Sequence, residues 1–450
     1  MDIANLIPTF GNLLFTIAAF IVALSIIIAI HEYGHYIVGK WSGIKADVFS
    51  LGFGPVLYSR VDKHGTKWQI AALPFGGYVK FRGDKGAASN PDEEAMSDLT
   101  PEERRATMHG APLWARAATV FAGPAFNFIL SFVIFFCFVM YYGVEREPLT
   151  VETVLESPHA TSELRAGDVI LEVGGLPADD RTKLTEAVYE LTPETSLEYL
   201  VERDGAEITV SGPWPAPPAA SGFSLDSAAE EAGMEVGDVV MAINGTPIFD
   251  FEELNQATRN SNGNTLELSI WRDGELLDFS VTPRKQDTQD RNGEFETRYL
   301  IGMTGGSGSI FEFESYTPGP IEAAYFGISR LGSILEGSVK GLYSVVTRKI
   351  STCAVSGPIT IAKTSGQVAE RGLSEFIFFV AFISAAVGFV NLFPVPVLDG
   401  GHLVFHAWEA VTGRPPSDKA LNAMMMVGVV LVVALMIFAF GNDIWCRFLL

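Results

Sequence analysis

Apolar and polar residues along this chain are segregated rather than mixed. Four stretches contain no Asp, Glu, Lys or Arg: Ile3 to Ile30, Ala117 to Tyr142, Phe376 to Leu398 and Ala420 to Asn442. Each reaches the ~20 apolar residues that a helix needs to cross a bilayer. One such run alone could be a buried core helix; four in one chain predict four transmembrane helices. The first reads as a retained span, because it begins Met1-Asp2, has no basic region ahead of it and shows no small-residue cleavage site before His31. Between the first two, Val48 to Tyr58 and Lys67 to Phe81 are β-rich and punctuated by Gly52, Gly54, Gly76 and Gly77. Trp68, Ile70 and Ala72 alternate at period two, so this loop, from 46 to 81, predicts a membrane-associated β-sheet. Farther on, Ile321, Tyr325, Ile328, Leu331, Leu335, Val339, Leu342 and Val346 recur at three and four residues. That spacing predicts an amphipathic helix, lying on the membrane surface or packed on the preceding domain.

Composition sharpens the picture. Of 450 residues, 48% are hydrophobic and 19% charged, and the net charge is −22. The chain is too apolar for a disordered acidic protein and too acidic for a nucleic-acid binder. Length allows roughly three domains. Residues 143–373 hold 17 basic and 37 acidic side chains, a net −20 of the −22. Basic residues concentrate instead in the loop from His31 to Arg116 and in the short loop carrying Arg414 and Lys419. Short basic loops mark the cytoplasmic side, so both chain ends and the acidic segment are expected outside. Cys137, Cys353 and Cys446 form no CxxC pattern and imply no disulfide framework.

The exterior segment repeats itself. Ala166-Gly167-Asp168-Val169-Ile170 matches Val236-Gly237-Asp238-Val239-Val240 at an offset of 70, which also pairs Gly175 with Gly245 and Pro177 with Pro247. Arg203-Asp204-Gly205 pairs with Arg272-Asp273-Gly274 at 69. Two copies of one α/β unit are expected, over 143–214 and 215–304. At these residues the repeat resembles a PDZ domain, with Asn244-Gly245 as the typical turn and Gly174-Gly175 in its place in the first copy. The resemblance implies modules that take a peptide ligand by strand addition. Residues 305–373 read as a linker, with Gly305 to Ser309 as its flexible start, followed by the amphipathic helix. Residues 1–142 and 374–450 are the two membrane halves.

The candidate chemistry lies where two spans end. His31-Glu32-Tyr33-Gly34-His35 continues the first span. On a helix, i and i+4 share a face, so both imidazoles can hold one zinc ion while Glu32 reaches the attacking water. A catalytic zinc takes a third protein ligand. The candidate is Asp399, the first charge after the third span, in Leu398-Asp399-Gly400-Gly401-His402. Spans one and three run in the same direction, so both motifs reach one face, the cytoplasmic one. His402 and His406 repeat the i,i+4 spacing without an adjoining Glu, which reads as a loop helix.

HEYGH, Gly123-Pro124-Ala125-Phe126-Asn127 in span two and Asn391-Leu392-Phe393-Pro394-Val395-Pro396-Val397-Leu398-Asp399-Gly400 together resemble the site-2 protease family. The paired PDZ-like units point to its bacterial regulator of sigma-E protease branch. The resemblance implies a polytopic α-helical membrane protein of the bacterial inner membrane, with both termini and the PDZ-like domains periplasmic and the active site toward the cytoplasm. It implies Zn2+ held by His31, His35 and Asp399, Glu32 as general base, Asn391 as a substrate-handling residue, and Gly123, Pro124 and Asn127 as a core motif. The implied substrates are single-span membrane proteins, such as an anti-sigma factor already trimmed outside, or signal-peptide remnants. A helical substrate must unwind to be cut. The β-rich loop with Gly52, Gly54, Gly76 and Gly77 is expected to pair with the unwound strand. The competing readings are a membrane-anchored zinc protease acting on soluble or loop substrates, and a non-catalytic PDZ scaffold; HEYGH at the end of a span favours intramembrane cleavage.

Overall fold

The computed structural model describes residues 6–84, 99–156, 158, 162–289, 295–350, 353 and 356–448. Two compact units are present, one of Met1–Phe138, Ile321–Tyr343 and Val355–Leu450, the other of Val139–Pro320 and Ser344–Ala354. The first is built from α1 (Leu6–Trp41), strands β1 (Ala46–Val61) and β2 (Lys67–Phe81), most of α2 (Leu113–Tyr142) and of α3 (Pro320–Val346), α4 (Pro358–Arg371), α5 (Leu373–Asn391), α6 (Asp399–Thr412) and α7 (Asp418–Phe448). Among the described residues, α1, α2, α5 and α7 are long and apolar enough to cross a membrane. The third apolar run reaches Leu398 in sequence, but its helix stops at Asn391. Pro394 and Pro396 cannot continue it, and residues 392–398 turn back before α6 begins at Asp399.

Polar ties fix these apolar helices where dispersion alone would leave them free to slide. Ser384 Oγ on α5 donates to the Asn127 carbonyl on α2, and Ser131 Oγ on α2 donates to the Ala381 carbonyl on α5. Arg116 at the start of α2 makes a bidentate pair with Glu409 near the end of α6. Asp443, buried within α7, accepts from the backbone N–H groups of Gly357, Ile359 and Thr360 and so caps α4. On α3, Ile321, Tyr325, Ile328, Val339 and Leu342 are exposed. The helix packs through Gly327 on Phe132 of α2, and the Arg330 guanidinium stacks over Phe378 of α5. The periodic stripe therefore faces away from the unit, in keeping with a helix alongside lipid.

The two strands make more sheet than their number suggests. Val48 to Leu51 pairs on one side with residues 77–80 and on the other with residues 67–70, and these pair again with residues 58–61. Bent strands thus yield the segment order 77–81, 46–51, 67–71, 56–61, and among the described residues no further strand pairs with the outer segments. The bend requires Gly52, at φ +89°, where a Cβ would stand 2.8 Å from the Leu73 carbonyl oxygen. Gly54 continues that bend, and Gly76 lies against the Phe53 ring.

In the second unit the repeat becomes two sheets of one topology. The first orders Leu176–Pro177, Val169–Val173, Ser196–Arg203 and Ala206–Pro213; the second orders Thr246–Pro247, Val239–Ile243, Leu266–Arg272 and Glu275–Val281. Helices Arg181–Glu190 and Phe251–Asn260 occupy the same place in each. The buried pairs Ile170/Val240, Val173/Ile243 and Leu184/Leu254 keep the offset of 70, and Tyr199/Leu268 and Val201/Ile270 keep 69. The repeated aspartate has a structural use. Arg203 Nε and Nη2 donate to Asp168 at 2.6 and 2.7 Å, and Arg272 grips Asp238 at the same distances. The segment read as a linker is not one throughout. Phe311–Phe313 pairs with Val151–Val154, and Ile310, Phe311 and Phe313 complete the core of the first module, which is therefore discontinuous in sequence.

Burial alone would raise the Asp168 pKa, but the Arg203 guanidinium and the Arg165 N–H hold it below the usual carboxylate range. Stability from this pair is therefore complete above about pH 4 and is lost as pH falls further. Asp168→Asn should lower the stability of the first module at neutral pH by about 1.5 kcal/mol, the usual worth of hydrogen bonds to a charged group, because it removes the carboxylate that the Arg203 guanidinium grips. Hydrogen exchange of the Ser196–Arg203 amides in the full chain measures this. Unchanged protection would show that the pair does not hold the module.

Candidate metal centre

The centre is built on the α1–α2 crossing. Gly34 of α1 lies so close to α2 that a Cβ would sit 2.4 Å from the Ala122 carbonyl oxygen. On α2, a Cβ at Gly123 would fall 2.4 Å from His35 Nε2 and 2.8 Å from His31 Cε1. Small residues here let both imidazoles lie flat against a neighbouring backbone. The i,i+4 spacing then brings His31 Nε2 and His35 Nε2 to 3.2 Å.

Asp399 arrives from the other half of the chain as the first residue of α6. It stands 3.1 Å from His31 Nε2 and 3.5 Å from His35 Nε2. Gly400 and Gly401 make that position possible. A Cβ on Gly400 would lie 2.2 Å from the Leu392 carbonyl oxygen, and one on Gly401 would lie 2.2 Å from that of Val395. The turn after α5 therefore folds directly onto the first turn of α6.

Hydrogen bonding shows what these groups lack. His35 Nδ1 is 2.8 Å from the Thr119 carbonyl, which can only accept, so Nδ1 carries the proton and Nε2 presents a lone pair. His31 Nδ1 lies 3.2 Å from the Asn127 amide, whose Oδ1 is buried without a partner. With that amide turned over, Oδ1 accepts from His31 Nδ1–H and the orphan disappears. The two Nε2 lone pairs then face the buried Asp399 carboxylate, Oδ2 for His31 and Oδ1 for His35, and among the described residues Oδ2 has no hydrogen-bond donor. Two nitrogens and a carboxylate whose ligand atoms lie within 4.8 Å of one another suit a zinc ion with a position left open. Among the described residues this is the one such group.

The family model for peptidase family M50 matches residues 19–435. The chain belongs to this family, the site-2 proteases. A zinc metalloprotease by name from Rhizobium meliloti (strain 1021) is 35% identical over 434 residues, covering 96% of this chain and 97% of that one. A relative from Agrobacterium fabrum, likewise named for zinc metalloprotease activity, is 34% identical over 429 residues, covering 95% of each. The regulator of sigma-E protease RseP of Salmonella typhimurium is 31% identical over 464 residues, covering 96% of this chain and 99% of that one. Zinc metalloprotease activity and an integral membrane location follow for this M50 peptidase.

Within the M50 unit, Glu32 lies within hydrogen-bond reach of the Val79 backbone. A Cβ on Gly77 would be 3.1 Å from Glu32 Cγ. The 77–81 edge of the sheet thus lies against the acidic member of HEYGH, whereas Gly52, Gly54 and Gly76 shape the bends behind it. Asn391 ends α5, half-buried, and makes no hydrogen bond to the His31, His35 and Asp399 group among the described residues. Asn127, read from sequence only as a core-motif residue, touches a candidate ligand directly. An Asn inside an uncharged span, four residues after the glycine that packs on the imidazoles, is the signal that could have shown this. Thr119 acts through its backbone, so no side-chain pattern could have marked it. Cys353 and Cys446 are disulfide-bonded, contrary to the sequence reading, and Cys137 is a free, exposed thiol.

Asn127→Leu should weaken zinc binding by about 10–100-fold, the usual cost of losing a ligand's outer hydrogen bond. Competition with a chromophoric chelator measures it, and an unaltered affinity would remove Asn127 from the site. Gly123→Val should abolish stoichiometric zinc, because the added methyls occupy the space of the His35 ring.

Proposed function

We propose that this M50 peptidase is an intramembrane protease that cuts single-span membrane proteins within or near their transmembrane segment, using His31, His35 and Asp399 as zinc ligands and Glu32 as general base. The observation that carries the reading is the sheet edge beside Glu32. An edge with no further strand on it among the described residues lies at the candidate base, where a substrate helix that must unwind before it can be cut can pair with it. Zinc bound there would polarise the scissile carbonyl and acidify the attacking water. Glu32 takes the water's proton and returns it to the leaving amine. Asn127 and the Thr119 carbonyl hold the two imidazoles in the tautomer that turns Nε2 to the metal. Gly77 lets the sheet edge approach Ile28 and Glu32 of α1 closely, and Asn391 has the amide donors and acceptor to bind an unwound backbone farther along.

The membrane is the bacterial inner membrane, with both ends and the repeat modules outside and the metal centre toward the cytoplasm. The charge distribution supports this orientation, as do disulfide-bonded Cys353 and Cys446, which suit an oxidising exterior. The relative named as a regulator of sigma-E protease supports an anti-sigma factor-like, already trimmed substrate. The repeat modules, PDZ-like in their paired topology, bind peptide or exclude untrimmed substrates by size.

Glu32→Gln should retain stoichiometric zinc and lose cleavage of a tagged single-span substrate in vesicles; undiminished cleavage would sink the mechanism. Asp399→Asn should lower zinc content itself, which metal analysis after dialysis reads. Full occupancy in that variant would remove Asp399 from the ligand set.

A further inference from the structure

A second cavity-lined feature lies beside the metal centre and takes no part in it. A space of about 390 Å³ opens between α1 and one face of the sheet, walled by Ala29, Ile30 and Tyr33 on the helix and by Leu51, Tyr58 and Ile70 on the strands. The rings of Phe49 and Trp68, tilted by 31° with centroids 4.3 Å apart, contribute to its lining. No charged residue lines it. Gln69 is the one amide there, and its Nε2 already donates to Ser50 Oγ and Tyr78 Oη. The walls therefore offer hydrocarbon contact and no anchor for a polar ligand.

We infer that this cavity binds an acyl chain of a membrane phospholipid. Its helical wall belongs to the apolar window Leu13–Trp41, which is long and apolar enough to cross a membrane, so acyl chains can reach it. Its rim is apolar and open: Tyr33, Tyr58 and Ile70 are 38%, 62% and 50% exposed, and Val56, two residues before Tyr58, is exposed as well. A cavity continuous with a lipid-facing surface fills from that surface. A substrate side chain is the rival occupant, and the strand order disfavours it. A substrate strand added at the 77–81 edge is separated from Ile70 by segments 77–81 and 46–51, and from Tyr58 by segment 67–71 as well, with neighbouring strands about 4.8 Å apart. Ile30 and Tyr33 flank His31 and Glu32 in sequence, so the bound chain packs behind the turn that carries HEYGH and holds it against the sheet.

The test uses the full chain in vesicles of phosphatidylethanolamine and phosphatidylglycerol, doped with a phospholipid that carries a photoreactive diazirine midway along one acyl chain. Mass spectrometry of the irradiated protein should find adducts on Ile30, Leu51 and Ile70. Ala29→Trp and Leu51→Phe, which fill the space, should lose those adducts and keep the ones on the exposed face of α7, at Val430 and Ile437. Zinc content reports whether each variant is folded. If both fail to fold, the unmodified chain decides alone, because adducts confined to α7 and α3 would overturn the inference. So would cavity adducts that persist in a folded, filled variant, or cross-links to these residues from a photo-leucine-bearing substrate segment but not from lipid. None of these measurements reads proteolysis, so the outcome is independent of the proposed reaction.

Discussion

Two imidazole nitrogens 3.2 Å apart, each presenting a lone pair to one oxygen of a buried carboxylate, are mutually repulsive unless a cation lies between them. Much of the membrane unit follows from holding that arrangement. The imidazoles need a neighbouring helix with no side chain at the contact, which Gly123 supplies, and a close approach of the helix axes, which Gly34 permits. Their Nδ1 atoms need acceptors inside an apolar environment, which α2 provides through the Thr119 carbonyl and Asn127. The carboxylate must come from a separate part of the chain, so a turn broken by Pro394 and Pro396 is pressed onto Gly400 and Gly401 to deliver it. The α2–α5 serine bonds and the Arg116–Glu409 pair then fix the elements that carry these groups.

Such polar ties are informative because the surrounding lipid gives apolar helices little reason to prefer one register over another. Each tie joins a different pair: α2 with α5, α2 with α6, and α4 with α7 through Asp443. The sheet solves a related difficulty. The bent strands satisfy one another over four segments, and the outer one, 77–81, lies against Glu32. The repeat modules obey the opposite logic of a soluble fold, with alternating strands over a core and one repeated aspartate–arginine pair at equivalent corners.

Much of this was legible in the residues. Uncharged runs located the four long helices, because few things other than a membrane tolerate so many apolar residues without a charge. HEYGH located two imidazoles and an acid on one helix, because the spacing of a helix is fixed. The offsets of 70 and 69 located the two modules, and the same offsets align their buried side chains. Less legible was the end of α5, where the apolar run continued to Leu398 although the helix did not. Least legible was the route of residues 310–313, which leave the second module and return to complete the first. A composition shift at Gly305 looks like a linker whether or not the following strand finds a partner.

The sequence by itself determined what is local or periodic: helix spans, the repeat, the metal-binding spacing and the segregation of charge. Each depends on neighbours within a few residues or on a fixed period. Tertiary structure alone decided what depends on two distant backbones meeting. It showed that Gly123 is a seat for both imidazoles, that Asn127 and the Thr119 carbonyl set their tautomers, and that the 77–81 edge, rather than 56–61, lies at Glu32. Those outcomes turn on ångström-scale approach between elements, a quantity that no residue pattern along one strand or helix encodes.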